Sequence, residues 1–480
     1  MKRLISIFFF LSMSVLVSAQ TLFKVDERFE LTGIAARLAG YQEYTMCKIS
    51  GYAEAADEYF APYKEHGFIH FLQQIRQSDG IAYDALPKAT HTLQIVDNKV
   101  ITNPAADIAA LCKADPRWTE DNYRKFAELS DRFYKDTDFH AFFESNSEYY
   151  RKGEDWVNGF CDIDTSWFNS FYGKSFGSPE LYLSLVNGPA NYALADRGIL
   201  PGYGILAGLT VDPDKEIMFG KDYIFMSTVV HELCHNFTNS LCEEYRSRLV
   251  KAADRIFNED DVRAAMIRSA YGDPWIMTVE WLNNLCEAMY FREKGLLYPE
   301  DYGFARRPQA TSNDYEVMWL AQEKGFFWMT TSIEYMDKFY ENRDKYKTIE
   351  DFMPEIVEFY NRLSRNIDKE RERFAARYPE VVEFSIDSTD KDTLMLSFRF
   401  SHPMSTWMHG VDLNPDPEVN PLFTYPEQWK YTDEYTLTAR IDRDLLEKGK
   451  RYGGALNADF IRTLKSYQMK EDYPFEFVYE

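Results

Sequence analysis

The spacing of apolar residues along this chain has two different periods, and the change falls near Pro379. Over residues 23–172 and again over 296–378, apolar side chains recur every three to four positions, which is the period of amphipathic helices. Beyond Pro379 they alternate with polar side chains, as in the stretch 394–400, which is typical of strands with one buried face. We therefore expect an α+β protein that is mostly helical before this point and forms a β-sandwich over residues 379–480.

The helical region is interrupted by a short stretch that favours strands. Residues 181–186, 204–212 and 215–219 each predict a strand, with a turn at the Asp-Pro-Asp sequence between the last two. Five apolar residues that follow lie on one stripe of a buried helix, namely Phe225, Val229, Leu233, Phe237 and Leu241. The region then divides into a helical N-terminal part (20–175), a core (176–295) and C-terminal helices (296–378). Among its helices, the pattern predicts those over residues 120–134, 139–150, 315–325, 327–340 and 348–377.

The buried helix carries an HExxH motif, His231-Glu232-Leu233-Cys234-His235. Residues four apart on a helix lie on the same face, so His231 and His235 can each offer a nitrogen to one Zn²⁺. Glu232 can then reach a water molecule at the metal and act as its general base. The alternative is a pair of hydrogen-bonded core histidines. Because buried ionisable groups without partners are costly, a metal explains the motif better, and we expect a metal-dependent hydrolase.

A catalytic zinc usually has three protein ligands, so the motif is one ligand short. The HxxGxxH continuation of metzincins does not follow, which leaves a carboxylate on a later helix. Asp273 as N-cap, Pro274 as first residue and Gly295 as stop predict that helix. Its apolar middle holds Glu280 and Glu287, seven residues apart and therefore on one face. One of them would bind the metal and the other would orient a histidine.

The N-terminus has the features of a cleavable secretory signal peptide over residues 1–19. Lys2 and Arg3 precede an apolar run, and Val17-Ser18-Ala19 is a small-residue cleavage site. No cysteine directly follows that site, so a lipid anchor is not expected, and no later segment is apolar for long enough to span a membrane. We expect an exported protein, periplasmic or extracellular.

The net charge limits the binding partners that we expect, and the cysteine content limits the kinds of metal or redox site. The formal net charge of −23 becomes −25 without Lys2 and Arg3, which disfavours nucleic acid and anionic membranes. Six scattered cysteines without a CxxC pair indicate neither a zinc ribbon nor a redox motif. Export permits a disulfide between Cys234 and Cys286, although free buried thiols are the simpler expectation. A nucleophilic Cys234 would be an alternative to the metal site.

The C-terminal region resembles a bacterial Ig-like domain of the S-layer type. The resemblance is carried by Ser397-Phe-Arg-Phe-Ser-His-Pro-Met404, by residues 429–441 and 445–452, and by the final strand. It implies an Ig-like β-sandwich that would be available for contacts with cell-surface or other extracellular partners.

The preceding region resembles an uncharacterised family of exported bacterial proteins, a domain-of-unknown-function family with an HExxH core. The matching segments are residues 25–40, 175–192, 231–239, 323–326, 342–346 and 352–354. The family looks like gluzincins, which implies a zincin-like fold. Its downstream helix carries a glutamate followed four residues later by Arg-Ala. That glutamate aligns with Glu280, while Asn284 and Leu285 stand at the Arg-Ala positions.

We therefore expect a secreted zinc metallopeptidase of gluzincin type that acts on a peptide or protein substrate. His231, His235 and Glu280 would bind Zn²⁺, and Glu232 would be the general base. Tyr192 or Tyr290 would donate a hydrogen bond to the transition state. Two rivals remain: a non-catalytic zinc-binding or adhesion protein on a zincin scaffold, and a metal hydrolase of non-peptide amides.

Overall fold

The computed structural model describes residues 23–47, 49–174, 179–188, 190–194, 198–200, 202–209, 221–294, 320–321, 324–406, 409–422, 426–465 and 467–480, with the backbone alone at 221–224 and 426. Several predictions fall outside these residues: the signal peptide, the strand over 215–219, the stop at Gly295 and most of the helix over 315–325. None of the helices within the described ranges combines the length and apolar character needed to cross a bilayer.

The protein is α+β, with helices before residue 378 and strands concentrated after it. The helices are Glu27–Leu38, Tyr52–Phe60, Gly67–Asp79, Ala85–His91, Ile108–Ala114, Glu120–Asp136, Phe139–Ser145, Ser147–Asn158, Thr165–Tyr172, Lys221–Glu244, Arg246–Phe257, Asp260–Arg268, Pro274–Lys294, Met329–Tyr335, Asp337–Glu341, Ile349–Ser364 and Ile367–Ala375. The strands are β1 (Lys24–Val25), β2 (Leu93–Val96), β3 (Lys99–Thr102), β4 (Glu180–Ser184), β5 (Asn191–Ala193), β6 (Gly204–Gly208), β7 (Val381–Asp387), β8 (Thr393–Phe400), β9 (Val411–Asp412), β10 (Asn420–Pro421), β11 (Trp429–Asp433), β12 (Thr436–Asp442), β13 (Arg451–Leu456) and β14 (Tyr473–Val478). Short 3₁₀ turns cover Gln42–Tyr44, Ala61–Tyr63, Pro426–Gln428 and Arg443–Leu445.

The chain divides into two compact units. The first contains the described residues of 1–163, 178–190 and 206–212, and the second contains the described remainder. In the first unit, helices pack around an aromatic core, and β1, β4 and β6 lie side by side with β1 and β4 parallel. The core aromatics include Phe60, Phe126, Phe133, Phe139 and Phe142.

The first unit also contains a β-hairpin that the sequence prediction missed. Strands β2 and β3 pair antiparallel, with Val96 opposite Lys99. The two residues between them, Asp97 and Asn98, have φ values of 48° and 57°. Positive φ at both central positions is the requirement of a two-residue hairpin turn, which Asp and Asn tolerate well. The Asp-Asn pair between two short β-prone runs was the available signal.

The second unit contains the helix with the HExxH motif, Lys221–Glu244, which we name the motif helix. Its predicted apolar stripe is buried, since Val229, Leu233 and Phe237 are at most 1% exposed. The Phe237 ring stacks on Tyr172, with centroids 4.3 Å apart and planes inclined by 9°. Strand β5 packs against the same helix. These contacts fix the rotation of the motif helix and therefore decide which face carries its histidines.

The C-terminal part of the second unit consists of two sheets. One is antiparallel with the order β11-β12-β8-β7. In the other, β13 pairs with β14 and β9 antiparallel and with β10 parallel. Phe398 and Leu437 from the first sheet share a hydrophobic core with Leu456 and Phe475 from the second. The predicted alternation along β8 is confirmed, because the inward residues Leu396, Phe398 and Phe400 are buried.

Three predicted helices are each divided in two. The helix expected over 139–150 breaks at Asn146, whose side-chain amide donates to the Phe142 carbonyl at 2.8 Å and competes with the backbone ladder. The helix expected over 348–377 breaks near Asn366, which donates to the Arg362 carbonyl in the same way. The helix expected over 327–340 is interrupted at Met336. A periodicity that continues through a one-residue break conceals the break.

Candidate metal centre

The site is formed where the motif helix meets the helix Pro274–Lys294, which we name the partner helix. Asp273 caps the partner helix as predicted, since its Oδ1 accepts the backbone N–H groups of Trp275 and Ile276 at 2.8 and 3.1 Å. Fully buried Asn283 joins the two helices. Its amide nitrogen donates to the His231 carbonyl at 3.0 Å, and its amide oxygen accepts from Thr238 at 2.6 Å. This bridge sets the register between the helices.

Three side chains converge at this junction: His231 and His235 from the motif helix and Glu280 from the partner helix. The two Nε2 atoms are 3.1 Å apart. Glu280 Oε2 is 3.4 Å from His231 Nε2, and Glu280 Oε1 is 3.4 Å from His235 Nε2. One ligand atom from each residue lies within 4.8 Å of the other two, and among the described residues no other group of histidine, cysteine and acidic side chains does so.

These distances suit a tetrahedral metal ion. Two ligand atoms at roughly 2.0–2.2 Å from zinc in tetrahedral geometry are separated by roughly 3.3–3.6 Å, close to the separations observed. Glu280 Oε2 is buried and accepts no hydrogen bond within the part of the chain that the structure describes. A buried acceptor that faces two imidazole nitrogens and has no donor is the arrangement that a cation would complete. The residues present therefore fit Zn²⁺.

Each imidazole also contacts a polar side chain through Nδ1, the ring nitrogen that does not face Glu280. His231 Nδ1 lies 3.0 Å from Glu287 Oε2, and Ser227 donates to the second oxygen of Glu287 at 2.5 Å. His235 Nδ1 lies 3.2 Å from Asn239 Oδ1. Because a carboxylate and an amide oxygen only accept, both Nδ1 atoms donate and both Nε2 atoms are directed at Glu280. Glu287 is 2% exposed, so its carboxylate is committed to this contact.

The electrostatics of the junction favour positive charge at the His231 imidazole and disfavour it at His235. Burial by itself would lower the pKa of His231, but the neighbouring carboxylates of Glu280 and Glu287 outweigh it and raise the pKa to about 10. For Glu280, burial opposes ionisation, yet the charges of His235 and His231 lower its pKa to about 2. Burial lowers the pKa of His235. The lowered pKa keeps the Glu280 carboxylate ionised, as a metal ligand must be.

Glu232 differs from the other acids of the site. It is half-buried, and its carboxylate forms no hydrogen bond or ion pair within the described ranges. Its charge nevertheless acts on His235 and on Tyr271. An acidic group beside the metal position with its oxygens uncommitted is what a general base requires.

The other residues singled out from the sequence lie as follows. Asn284, at the expected Arg position, is 1% exposed, and its amide donates to the Glu280 backbone carbonyl at 2.7 Å. Tyr290 accepts the Asp164 backbone N–H at 3.0 Å, and its ring packs against Trp167. Tyr192 is buried on β5. Asn284 therefore supports the backbone of the partner helix.

The cysteines near the site are thiols. All six cysteines of the chain are free. Cys234 and Cys286 both lie near the Tyr172 hydroxyl, which forms no hydrogen bond within the described residues. Burial raises the pKa of Cys286 to about 12 and raises that of Cys234 well above its ordinary value. Because the thiolate is the nucleophile, a buried thiol of raised pKa does not support the nucleophile hypothesis for Cys234.

Two residues at the junction were missed by sequence reasoning, Tyr271 and Lys324. Burial and the charge of Glu280 raise the pKa of Tyr271. Lys324 Nζ donates to the Tyr271 hydroxyl oxygen at 3.1 Å. Both residues lie in connections between helices, where no periodic pattern singles out a functional side chain.

A family model described as "Domain of unknown function (DUF4932)" matches residues 21–359. The matched range includes every residue of the junction and ends before the C-terminal sheets. Searches of curated proteins and of solved structures returned no match.

Proposed function

This chain belongs to the family of the domain of unknown function DUF4932, and we propose that it is a zinc-dependent metallopeptidase of gluzincin type. The observation that carries the proposal is the convergence of His231, His235 and Glu280 with separations of 3.1–3.4 Å between their facing atoms. We further propose a zincin-like helical region and an Ig-like C-terminal module, which the two sheets with a shared core support.

The residues of the site would have three roles: metal binding, orientation of the imidazoles and general-base catalysis. His231, His235 and Glu280 would hold Zn²⁺, which when bound supplies a Lewis acid that polarises a carbonyl and acidifies water. Glu287 and Asn239 orient the two imidazoles. Glu232 accepts the proton of the attacking water and later delivers it to the leaving amine. The hydrolysis therefore needs both an intact ligand set and the uncommitted carboxylate of Glu232.

The test compares Glu232→Gln with the wild-type chain and with Glu244→Gln, an exposed glutamate at the end of the same helix. Zinc content and cleavage of a peptide library are measured, with and without a chelator. We expect the wild type and Glu244→Gln to bind one zinc and cleave peptides. Glu232→Gln should keep the zinc and lose at least about a hundredfold in kcat, because general-base catalysis contributes about that much.

A non-catalytic zinc-binding or adhesion protein is the second candidate, favoured by one observation. Asn284 is buried and bonded to the Glu280 carbonyl, so no cationic donor stands at that position. One zinc per chain with no chelator-sensitive cleavage of any peptide would support this candidate and contradict peptidase activity. Cleavage of non-peptide amides alone would point to the third hypothesis, an amidase.

A further inference from the structure

Two of the three proposed ligands contact an outer partner, a residue that hydrogen-bonds a ligand and does not touch the metal. For His231 this partner is Glu287, whose carboxylate is bonded in turn to Ser227. We propose that Ser227 is a positioning residue: its hydroxyl holds the Glu287 carboxylate against His231 Nδ1 and thereby fixes the imidazole for zinc. This role rests on the proposed zinc site, to which it adds a residue of the motif helix.

Glu287 connects two residues of the motif helix that lie one turn apart. Ser227 and His231 are four positions apart in that helix and therefore share the face that meets the partner helix. The Ser227 hydroxyl donates to Glu287 Oε1 at 2.5 Å, and His231 Nδ1 donates to Glu287 Oε2 at 3.0 Å. Each oxygen of the carboxylate thus has its own donor, and both donors come from the same helix.

The second donor matters because one contact leaves a carboxylate free to turn. The last torsion of a glutamate side chain is broad, so a single hydrogen bond does not fix the plane of the group. Bonds at both oxygens do fix it, since a rotation about either bond would break the other. Glu287 is 2% exposed, so water has little access to replace the Ser227 hydroxyl.

Ser227 uses its hydroxyl differently from another serine of the same helix. Serine side chains in helices can donate to a carbonyl three or four residues earlier. Ser240 does so, with its hydroxyl 2.9 Å from the Phe237 carbonyl. Ser227 donates across to the partner helix instead, so its proton is committed to Glu287.

The backbone of His231 is fixed by a separate contact. Asn283 donates to the His231 carbonyl at 3.0 Å and accepts from Thr238 at 2.6 Å. Neither bond involves Ser227, so the register of the two helices should persist when that residue is changed. A substitution of Ser227 should therefore act on the imidazole through Glu287 and not on the packing of the helices.

The experiment measures the zinc Kd of the full chain by competition with a chromophoric chelator, and the thermal midpoint of the zinc-free chain reports folding. Ser227→Ala should weaken zinc binding by about threefold to tenfold, because it removes one hydrogen bond to the outer partner and leaves that partner in place. Ser227→Thr keeps a hydroxyl and should restore the wild-type Kd. Ser227→Val has the shape of threonine without the hydroxyl and should be as weak as Ser227→Ala.

Ser240→Ala is the matched control. It removes a hydroxyl of the same helix that donates to the Phe237 carbonyl, so the Kd should not change.

A second arm of the experiment introduces Ser227→Ala into a Glu287→Ala background. It should cause no further loss of zinc affinity there, because Ser227 acts through Glu287. A purely structural role of Ser227 would give the same loss in both backgrounds.

The outcomes separate the role of Ser227 from the proposed function. A wild-type chain that binds no zinc would overturn both. If the wild type binds zinc, an unchanged Kd in Ser227→Ala and Ser227→Val would overturn the role of Ser227 alone. Equal Kd values for Ser227→Thr and Ser227→Val would also overturn it, because the shape of the side chain would then decide the affinity. A full loss from Ser227→Ala in the Glu287→Ala background would do the same, since the hydroxyl would act through another group.

Discussion

Two glutamates that are largely shielded from solvent, one in each unit, have different surroundings. In the first unit, Glu30 is completely buried and accepts hydrogen bonds from the Tyr52 hydroxyl, from Ser184 at 2.7 Å and from the Leu185 backbone N–H at 2.9 Å. In the second unit, the Glu280 side chain is 15% exposed and faces two imidazoles, and its Oε2 accepts no hydrogen bond within the described residues.

The two carboxylates differ in the groups that surround them: hydrogen-bond donors around Glu30 and imidazoles around Glu280. Burial raises the pKa of Glu30, against the hydrogen bonds that lower it, whereas the neighbouring histidines lower the pKa of Glu280 to about 2. Glu30 has all its partners within its own unit and therefore stabilises the fold. Glu280 is ionised and keeps an acceptor open, which is the state that a cation would complete. Burial alone thus does not distinguish a structural carboxylate from a ligand, but its donors do.

The largest effect is expected from Glu280→Ala. Removal of a direct ligand should weaken zinc binding by more than roughly the 100-fold that bounds the loss of an outer partner. Chelator competition measures the Kd, and the thermal midpoint of the zinc-free chain serves as a control for folding. Zinc binding that survives this change within a factor of three would show that Glu280 is not a ligand.

A smaller loss of zinc affinity is expected from Glu287→Gln. This change keeps the shape of the side chain and removes the charge that His231 Nδ1 contacts at 3.0 Å. We expect a zinc Kd about tenfold weaker than that of the wild type, at the lower end for an outer partner. If the loss equalled that of Glu280→Ala, the assignment of the two glutamates would have to be exchanged.

Glu30→Gln should lower the stability of the fold and leave zinc binding unchanged. The amide keeps one acceptor oxygen but disturbs bonds from Tyr52 and Ser184, so the free energy of unfolding should fall by about 1–2 kcal/mol. The zinc Kd should remain that of the wild type. Denaturant titration and chelator competition on the same preparation check both parts, and a weaker Kd with unchanged stability would contradict the comparison.

The smallest effect is the pH dependence of that stability difference. The pKa of Glu30 is raised from 4.5 in the folded protein, so the folded chain holds the proton more tightly than the unfolded chain. Its contribution is complete below pH 4.5 and is lost as pH rises through the folded pKa. The advantage of wild type over Glu30→Gln should therefore shrink as pH increases from about 5. An advantage that grows with pH would mean that Glu30 is ionised in the fold.

The sequence predicted part of this comparison and could not predict the rest. HExxH spacing identified His231, Glu232 and His235 because helical geometry alone puts the histidines on one face. Helical spacing left Glu280 and Glu287 equivalent, since residues seven apart share a face, and only the family resemblance favoured Glu280. In the structure, the Asn283 bridge and the side-chain rotamers separate their contacts. The position of Tyr271 and Lys324 depends on two connections that approach each other in space. A local sequence pattern cannot predict that two distant connections lie close together in space.

The most direct test of the proposed zinc site is anomalous diffraction at the zinc absorption edge from crystals of the full chain prepared with zinc. We expect one strong peak between the motif helix and the partner helix. That peak should lie at roughly 2.0–2.2 Å from His231 Nε2, His235 Nε2 and one oxygen of Glu280. A peak at Glu287 in place of Glu280, or no peak at this junction, would contradict the proposed site.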